Sequence, residues 1–220
     1  MMFVELCALL TRPLEPFLRG VTLDGLDHLR SVMAIHGRAL IATAHLGNWE
    51  LLSAAHRLTG YPLSVVVRPL DAPWLDGLAE RLRHKTGVEL IDKRHALRPV
   101  LEALRRGRLV GILLDQNASR REGVFVPFFG RPASTSRSVA LLALRTGTPV
   151  VPIFIHREGA WRHRVMIHPP LLPLDANDVD RAVVELTARC TEVIEAAIRE
   201  SPEQWLWVHN RWRTRPPEAP

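Results

Sequence analysis

The stretch Thr43-Ala44-His45-Leu46-Gly47-Asn48-Trp49-Glu50 decides the fold. Ahead of it, Ala39-Leu40-Ile41-Ala42 is a short apolar run of the kind a buried strand needs, and behind it Leu51 to Leu58 is apolar at helical spacing. His45 therefore falls where a strand hands over to a helix. In an α/β protein that handover is the carboxyl end of a strand, where ligands bind and a glycine permits a tight turn beside helix amides. Glu50 lies about one and a half helical turns further on if a helix begins near Gly47, so its carboxylate is expected to reach one ring nitrogen of His45. A carboxylate there fixes the tautomer and leaves the other nitrogen to act as a base. The same two residue types also serve as a cap and a surface residue, so spacing alone leaves both readings open.

Working outward, strands and helices alternate. Leu63-Ser64-Val65-Val66-Val67-Arg68 reads as a second strand, Pro73 opens a helix with Trp74, Leu75, Leu78 and Leu82 on one face, and Val88 to Ile91 is a third strand. A helix carrying Leu97, Val100, Leu101 and Leu104 follows. Leu109 to Leu114 is a near-continuous apolar run, as a parallel strand covered on both faces should be, and it ends at Asp115. Strands thus terminate in His45, Arg68 and Asp115, and as parallel neighbours they bring those side chains to one edge of a sheet.

Gln116 to Gly123 reads as a loop. Val124 to Gly130, broken by Pro127, is expected to be an extended wall rather than a regular strand, with Phe128 and Phe129 either in the core or along an acyl-chain groove. A helix capped by Ser136 or Ser138 runs through Leu144, Val150 to Ile155 is a fifth strand, and Arg164 to His168 adds a sixth. The longest helix is expected from Asp178 to Pro202 on the apolar spacing of Val179, Val183, Leu186, Cys190 and Ile194. Before His45, Pro13 and Pro16 interrupt any first helix, and Leu26 to Ile35 offers the next. The fold class is α/β: a mixed, mostly parallel central sheet flanked by helices.

The chain has 220 residues, enough for one substantial core, and carries 29 Lys and Arg against 23 Asp and Glu, a net charge of +6. A basic surface suits phosphate, nucleic acid, an anionic membrane or an acidic carrier protein. The basic residues are dispersed rather than interleaved with aromatics on a strand pair, which argues against a nucleic-acid-binding module. The five residues Arg105, Arg106, Arg108, Arg120 and Arg121 read as a solvated face, part of which suits an acidic carrier. Cys7 and Cys190 make no disulfide framework. No stretch reaches the roughly 18 apolar residues of a spanning helix. Met1 to Leu10 carries Glu5 and reads either as a helix packed on the domain or as shallow membrane contact. Trp205, Trp207 and Trp212 among Arg211, Arg213 and Arg215 read either as an interfacial anchor or as a packed amphipathic end. No Gly-x-Ser-x-Gly elbow is present, and His45 has no second histidine at metal-ligand spacing.

Taken in order, AHLGNWE, VVRPL, GILLDQN, VFVPFFGRPASTS, TGTPVVPIF and WLWVHNRW resemble the bacterial lipid A biosynthesis late acyltransferases over Leu23 to Pro216. The resemblance implies a glycerolipid-acyltransferase-like fold, with residues 23–216 as the acyltransferase domain and 1–22 as a helical, membrane-proximal segment. It makes His45 the general base and Glu50 its partner. Gly47, Asn48, Arg68, Asp115, Gln116, Phe128, Phe129, Gly130, Arg131 and Thr135 become substrate-binding, with Arg68 near the acceptor or the developing oxyanion. It further implies a fatty acyl thioester on acyl carrier protein, or acyl-CoA, as donor, a phosphorylated glucosamine lipid as acceptor, no metal or cofactor, and peripheral attachment to the cytoplasmic face of the inner membrane. The runner-up acceptor is another glycolipid or an aminolipid. Glycerolipid acyltransferases typically carry Asp where Glu50 stands, which favours the lipid A branch.

Overall fold

A computed structural model describes residues 2–69, 72–173 and 177–217, without the side chains of Met2, Phe3, Pro73 and Leu75. The apolar contributions expected of Met1, Met2, Phe3 and Leu75 lie outside the described residues. The prolines separate helix α1 (Met2–Thr11) from the short α2 (Glu15–Leu18), and a strand that periodicity does not reveal, β1 (Val21–Asp24), comes next. Then follow α3 (Leu26–His36), β2 (Ala39–Thr43), α4 (Trp49–Ala55), β3 (Leu63–Val67), α5 (Pro73–Thr86), β4 (Glu89–Asp92), α6 (Leu97–Arg105) and β5 (Leu109–Leu113). The second half contributes β6 (Gly123–Phe128), β7 (Arg131–Ser136), α7 (Ser138–Thr146), β8 (Val150–Gly159), β9 (Arg162–Ile167) and α8 (Val179–Glu200).

Seven strands form one sheet in the order β1-β9-β8-β2-β5-β3-β4. The five from β8 to β4 are mutually parallel, whereas β9 runs antiparallel to β8 and carries β1 parallel to itself. This is the expected mixed, mostly parallel sheet. Every residue of β2, at its middle, is buried, because helices cover both faces. One face packs α6, α7 and α8 through Val100, Leu104, Val139, Leu186 and Ile194. The other packs α1 to α5 through Leu9, Phe17, Leu29, Leu51 and Leu82.

The structure corrects several expectations. Val124 to Gly130 is not an irregular wall: β6 pairs with β7 along its whole length in a separate two-stranded sheet. Phe129 and Gly130 form the connecting turn with φ of 51° and 70°, the paired positive values of a hairpin turn that follows strand twist. Pro127 is tolerated because a two-stranded hairpin is all edge. On α5, Trp74 is exposed while Leu82 is buried, so the two do not share a buried face. Helix α1 packs into the common core, with Leu9 buried and its last carbonyls capped by the Lys85 ammonium on α5. That packing favours the docked reading of the first helix, although Val4 stays exposed.

Burial drives His56, His156, His163, His168 and His209 below the ordinary histidine value of 6.5. The unfolded chain binds protons at these sites near pH 6.5, whereas the folded chain binds them only at lower pH. Unfolding free energy, followed by urea denaturation, should therefore be flat well above pH 6.5 and decline as pH falls through 6.5, before the carboxylates titrate. A flat profile across that range would contradict the burial assignment.

Candidate active site

Because β2 and β5 are parallel neighbours with Thr43 opposite Leu113, the residues two further along each, His45 and Asp115, stand side by side. Asp115 is almost completely buried and accepts three bonds. Its Oδ1 lies 2.9 Å from His45 Nδ1, and its Oδ2 receives the His45 backbone N–H at 3.0 Å and the Trp205 indole N–H at 2.8 Å. Burial alone would raise this carboxyl, but the His45 ring, the Trp205 indole and the His45 amide outweigh it and hold Asp115 below the usual aspartate value. An ionised carboxylate only accepts, so Nδ1 carries a proton, and in the neutral ring Nε2 is then the nitrogen with the lone pair. Among the described residues none hydrogen-bonds Nε2. Trp49 meets the ring edge-on at 5.1 Å, and the His45 side chain keeps 19% of its surface exposed.

The expected His45–Glu50 pair does not form. Arg83 of α5 holds Glu50 through Nη2 to Oε1 at 2.6 Å and Nε to Oε2 at 3.2 Å, a bidentate and largely buried ion pair. Helix α4 starts only at Trp49, so His45 lies in the turn before it and helical spacing from His45 to Glu50 does not apply. Glu50 ties α4 to α5 instead, and the carboxylate that orients the histidine comes from the neighbouring strand.

The other expected site residues divide. Gly47 has φ of 60°, and a Cβ there would stand 2.1 Å from the Ile155 carbonyl oxygen, so only glycine lets the turn pass β8. Asn48 is fully buried, caps α4 by accepting the Leu51 amide, and donates to Glu5, so it is closed to a ligand. Arg68 is exposed beyond β3, with β5 between its strand and that of His45. Gln116 is exposed directly after Asp115. Phe128 is fully buried, which answers the core-or-groove question for that ring, and Thr135 is buried beneath Arg211. Phe129 is half-buried, and Gly130 and Arg131 are exposed, Arg131 lying over the Trp212 ring at 5.2 Å.

The strap formed by residues 201–217 is the part of the site that sequence reasoning missed. It bridges Leu46 to Trp205, bonds the Leu206 amide to the His45 carbonyl and the Gly47 amide to the Gln204 carbonyl, and seats Trp205 on Asp115. Further along, His209 Nε2 accepts the Asn117 amide at 2.9 Å. Arg211, 1% exposed, donates to the Ser134 carbonyl and the Thr135 hydroxyl and lies 4.9 Å from the Phe128 ring centre. Burial lowers its guanidinium to about 10, so the cation persists at neutral pH. The motif WLWVHNRW held the signal, an indole and an arginine at fixed spacing, but composition alone leaves an interfacial anchor and a packed amphipathic end both open. Trp205 is core, and Trp207 and Val208 are the exposed apolar residues here.

Beside the site, on the opposite sheet face from Phe128, a small open cleft lies between the sheet and helices α4 and α5. Val65, Val67 and Leu113 form its apolar floor beside Thr43, and Trp49 with the Glu50–Arg83 pair forms its wall. Trp49 therefore touches both the His45 ring and this cleft. Among the described residues no group of His, Cys, Asp or Glu is arranged to hold a metal ion.

A family described as bacterial lipid A biosynthesis acyltransferase matches residues 1–214. The chain belongs to this family. It is 30% identical over 206 residues to the lipid A biosynthesis lauroyltransferase of Escherichia coli K12, covering 92% of this chain and 65% of that protein. It is 27% identical over 199 residues to the E. coli lipid A biosynthesis palmitoleoyltransferase, covering 88% and 61%, and 28% identical over 195 residues to a phosphatidylinositol mannoside acyltransferase of Mycobacterium tuberculosis, covering 86% and 59%. The chain thus spans less than two thirds of the length of these relatives. The crystal structure of the 1-acyl-sn-glycerophosphate acyltransferase PlsC from Thermotoga maritima aligns with a TM-score of 0.49 at 17% identity, over 84% of this chain and 73% of that one.

Trp205→Phe keeps the ring and removes the indole donor to Asp115. Hydrogen bonds to buried charges contribute about 1.5–3 kcal/mol, so urea unfolding should report a loss of that order. A change below about 0.5 kcal/mol would mean the bond does not hold the strap.

Proposed function

We propose that the chain transfers a fatty acyl group from an acyl carrier protein thioester to a hydroxyl of a lipid A precursor, with His45 as general base and Asp115 as the residue that orients it. The observation that carries this reading is the His45 imidazole, held through Nδ1 by a buried carboxylate and presenting Nε2 at the strand ends beside an apolar cleft. Family membership supports the choice of reaction.

In this reading Nε2 takes the proton of the acceptor hydroxyl as its oxygen attacks the thioester carbonyl. Such positioned bases contribute about 100- to 10,000-fold. The tetrahedral intermediate collapses with cleavage of the C–S bond, and the imidazolium returns its proton to the leaving thiolate. Asp115 stays ionised throughout and stabilises the imidazolium. No covalent acyl-enzyme is needed. Cys190 is 1% exposed and burial pushes its thiol up to about 12, far from nucleophilic.

The acyl chain is assigned to the cleft floored by Val65, Val67 and Leu113, not to the Phe128–Phe129 wall, because Phe128 is closed off. Arg68, exposed beyond β3, is assigned to an anionic group of the acceptor. Arg106 and Arg108 pair with Glu89, which leaves Arg105, Arg120 and Arg121 as the basic contacts for an acidic carrier. Trp207, Val208, Arg213 and Arg215 form the exposed element suited to an anionic membrane surface, consistent with peripheral attachment to the cytoplasmic face of the inner membrane. Among the described residues no helix is long and apolar enough to cross a membrane. The likeness to a phosphatidylinositol mannoside acyltransferase favours a second reading, in which the acceptor is another glycolipid and the chemistry is unchanged.

A panel of acyl carrier proteins incubated with lipid A precursors and other glycolipid acceptors, read by mass spectrometry, tests the proposal. His45→Ala should abolish transfer, and Asp115→Asn should lower kcat by about 100- to 10,000-fold through loss of the imposed tautomer. A folded His45→Ala protein with near-native turnover would defeat the assignment. On the same panel, Val67→Trp should shift the preferred donor to a shorter chain, and an unchanged preference would move the acyl chain out of this cleft.

A further inference from the structure

Helix α1 carries a carboxylate that does not belong on a simple packing or anchoring helix. Glu5 is 2% exposed, and its neighbours come from two distant parts of the chain, the turn before α4 and the β8–β9 hairpin. Asn48 donates its amide N–H to Oε2 at 2.9 Å. Arg157, at the end of β8, donates Nε to Oε1 at 2.9 Å and Nη2 to Oε2 at 2.6 Å. His163 Nε2 stands 3.4 Å from Oε2. Burial raises this carboxyl, but the Arg157 and Asn48 bonds prevail and hold Glu5 below the usual glutamate value.

Asn48 is the hinge of the arrangement. One end of its amide accepts the Leu51 N–H and caps α4, while the other end donates to Glu5. The residue before it is Gly47, whose amide bonds Gln204, and Gln204 in turn exchanges bonds with both the N–H and the C=O of Arg157. Glu5, Asn48, Gln204 and Arg157 therefore close a ring of bonds around the turn that leads from His45 to α4. Asp115 holds the His45 ring and amide, and its three hydrogen bonds go to His45 and Trp205, not to residues 47 and 48. Glu5 fixes the other half of the turn.

We propose that Glu5 is a positioning residue for the His45 turn, acting through Asn48, so that seating of helix α1 is a condition of acyl transfer. The proposal rests on the assignment of His45 as the base. A charge on α1 that served stability alone would alter the amount of folded protein, whereas a positioning charge alters kcat per folded molecule.

Three variants separate these roles. Asn48→Asp retains a side-chain oxygen to cap α4 but sets a second carboxylate against Glu5. Glu5→Ala removes the acceptor. The double variant Glu5→Gln with Asn48→Asp relieves the repulsion and lets the new amide on α1 donate to the new carboxylate in the turn, with loss of the Arg157 Nη2 bond to that atom. With folded protein verified by circular dichroism and assayed on acyl carrier protein thioesters, both single variants should lose at least about tenfold in kcat with KM within about twofold, and the double variant should recover part of the loss relative to Asn48→Asp. Hydrogen exchange of residues 45–52, which needs no substrate, should accelerate in the single variants and be partly restored in the double. Folded single variants with native kcat and native exchange would overturn the proposal, as would a double variant no better than Asn48→Asp in either readout. Activity surviving in His45→Ala would instead defeat the assignment of the base, and the exchange measurement would still decide whether Glu5 holds the turn.

Discussion

A buried carboxylate has to be satisfied or neutralised, and Asp115 is satisfied from three donors on two segments that lie far from it in sequence. That single requirement explains why β2, β5 and the terminal strap meet where they do. His45 supplies a ring and an amide from the end of β2, and Trp205 supplies an indole from beyond α8. Remove any one donor and a nearly dry oxygen loses a partner. The bonds that fix the His45 tautomer and the packing that closes the strap over the sheet edge are therefore one set of contacts.

Glu5 repeats the device on the opposite side of the turn. Two ionised carboxylates, one on α1 and one after β5, each draw donors from remote segments, and Gly47 and Asn48 lie between them. Glycine is required at 47 because the chain passes within contact distance of the Ile155 carbonyl, so the turn has no slack to absorb a misplaced neighbour. A rigid turn between two fixed charges is how a short helix of seven residues begins in a defined place without much propensity of its own. Helix α5 completes the frame, since Arg83 clamps Glu50 and Lys85 caps α1.

The order of strands and helices was legible because parallel strands buried on both faces read as continuous apolar runs, and Leu109 to Leu114 and Ala39 to Ala42 are such runs. The meeting of strand ends at one edge was legible for the same reason. The partner of His45 was not, because the local reading took Glu50 along a helix that has not yet begun at His45. The correct partner follows from register: Thr43 faces Leu113, and equal steps beyond each give His45 and Asp115. That inference needs the two strands to be neighbours, which no local pattern states. Strand β1 was hidden by its length of four residues at the sheet edge, and β7 by its run of Pro, Ser and Thr, which reads as loop until the β6 partner is known.

The strap shows where composition misleads most. Tryptophan beside arginine suits a membrane interface and suits a buried latch equally well, and only the partner atoms distinguish them. Trp205 finds Asp115 and Arg211 finds the Ser134 carbonyl, the Thr135 hydroxyl and the Phe128 face, so both turn inward. Trp207 bonds the Pro202 carbonyl and keeps half its surface exposed, and Val208 beside it is exposed more fully still. One short segment thus locks its first indole and its arginine into the hairpin and the His45 edge of the sheet while presenting the next two apolar side chains outward. A surface of that kind is held at a fixed distance from His45, because the Leu206 amide is bonded to the His45 carbonyl itself.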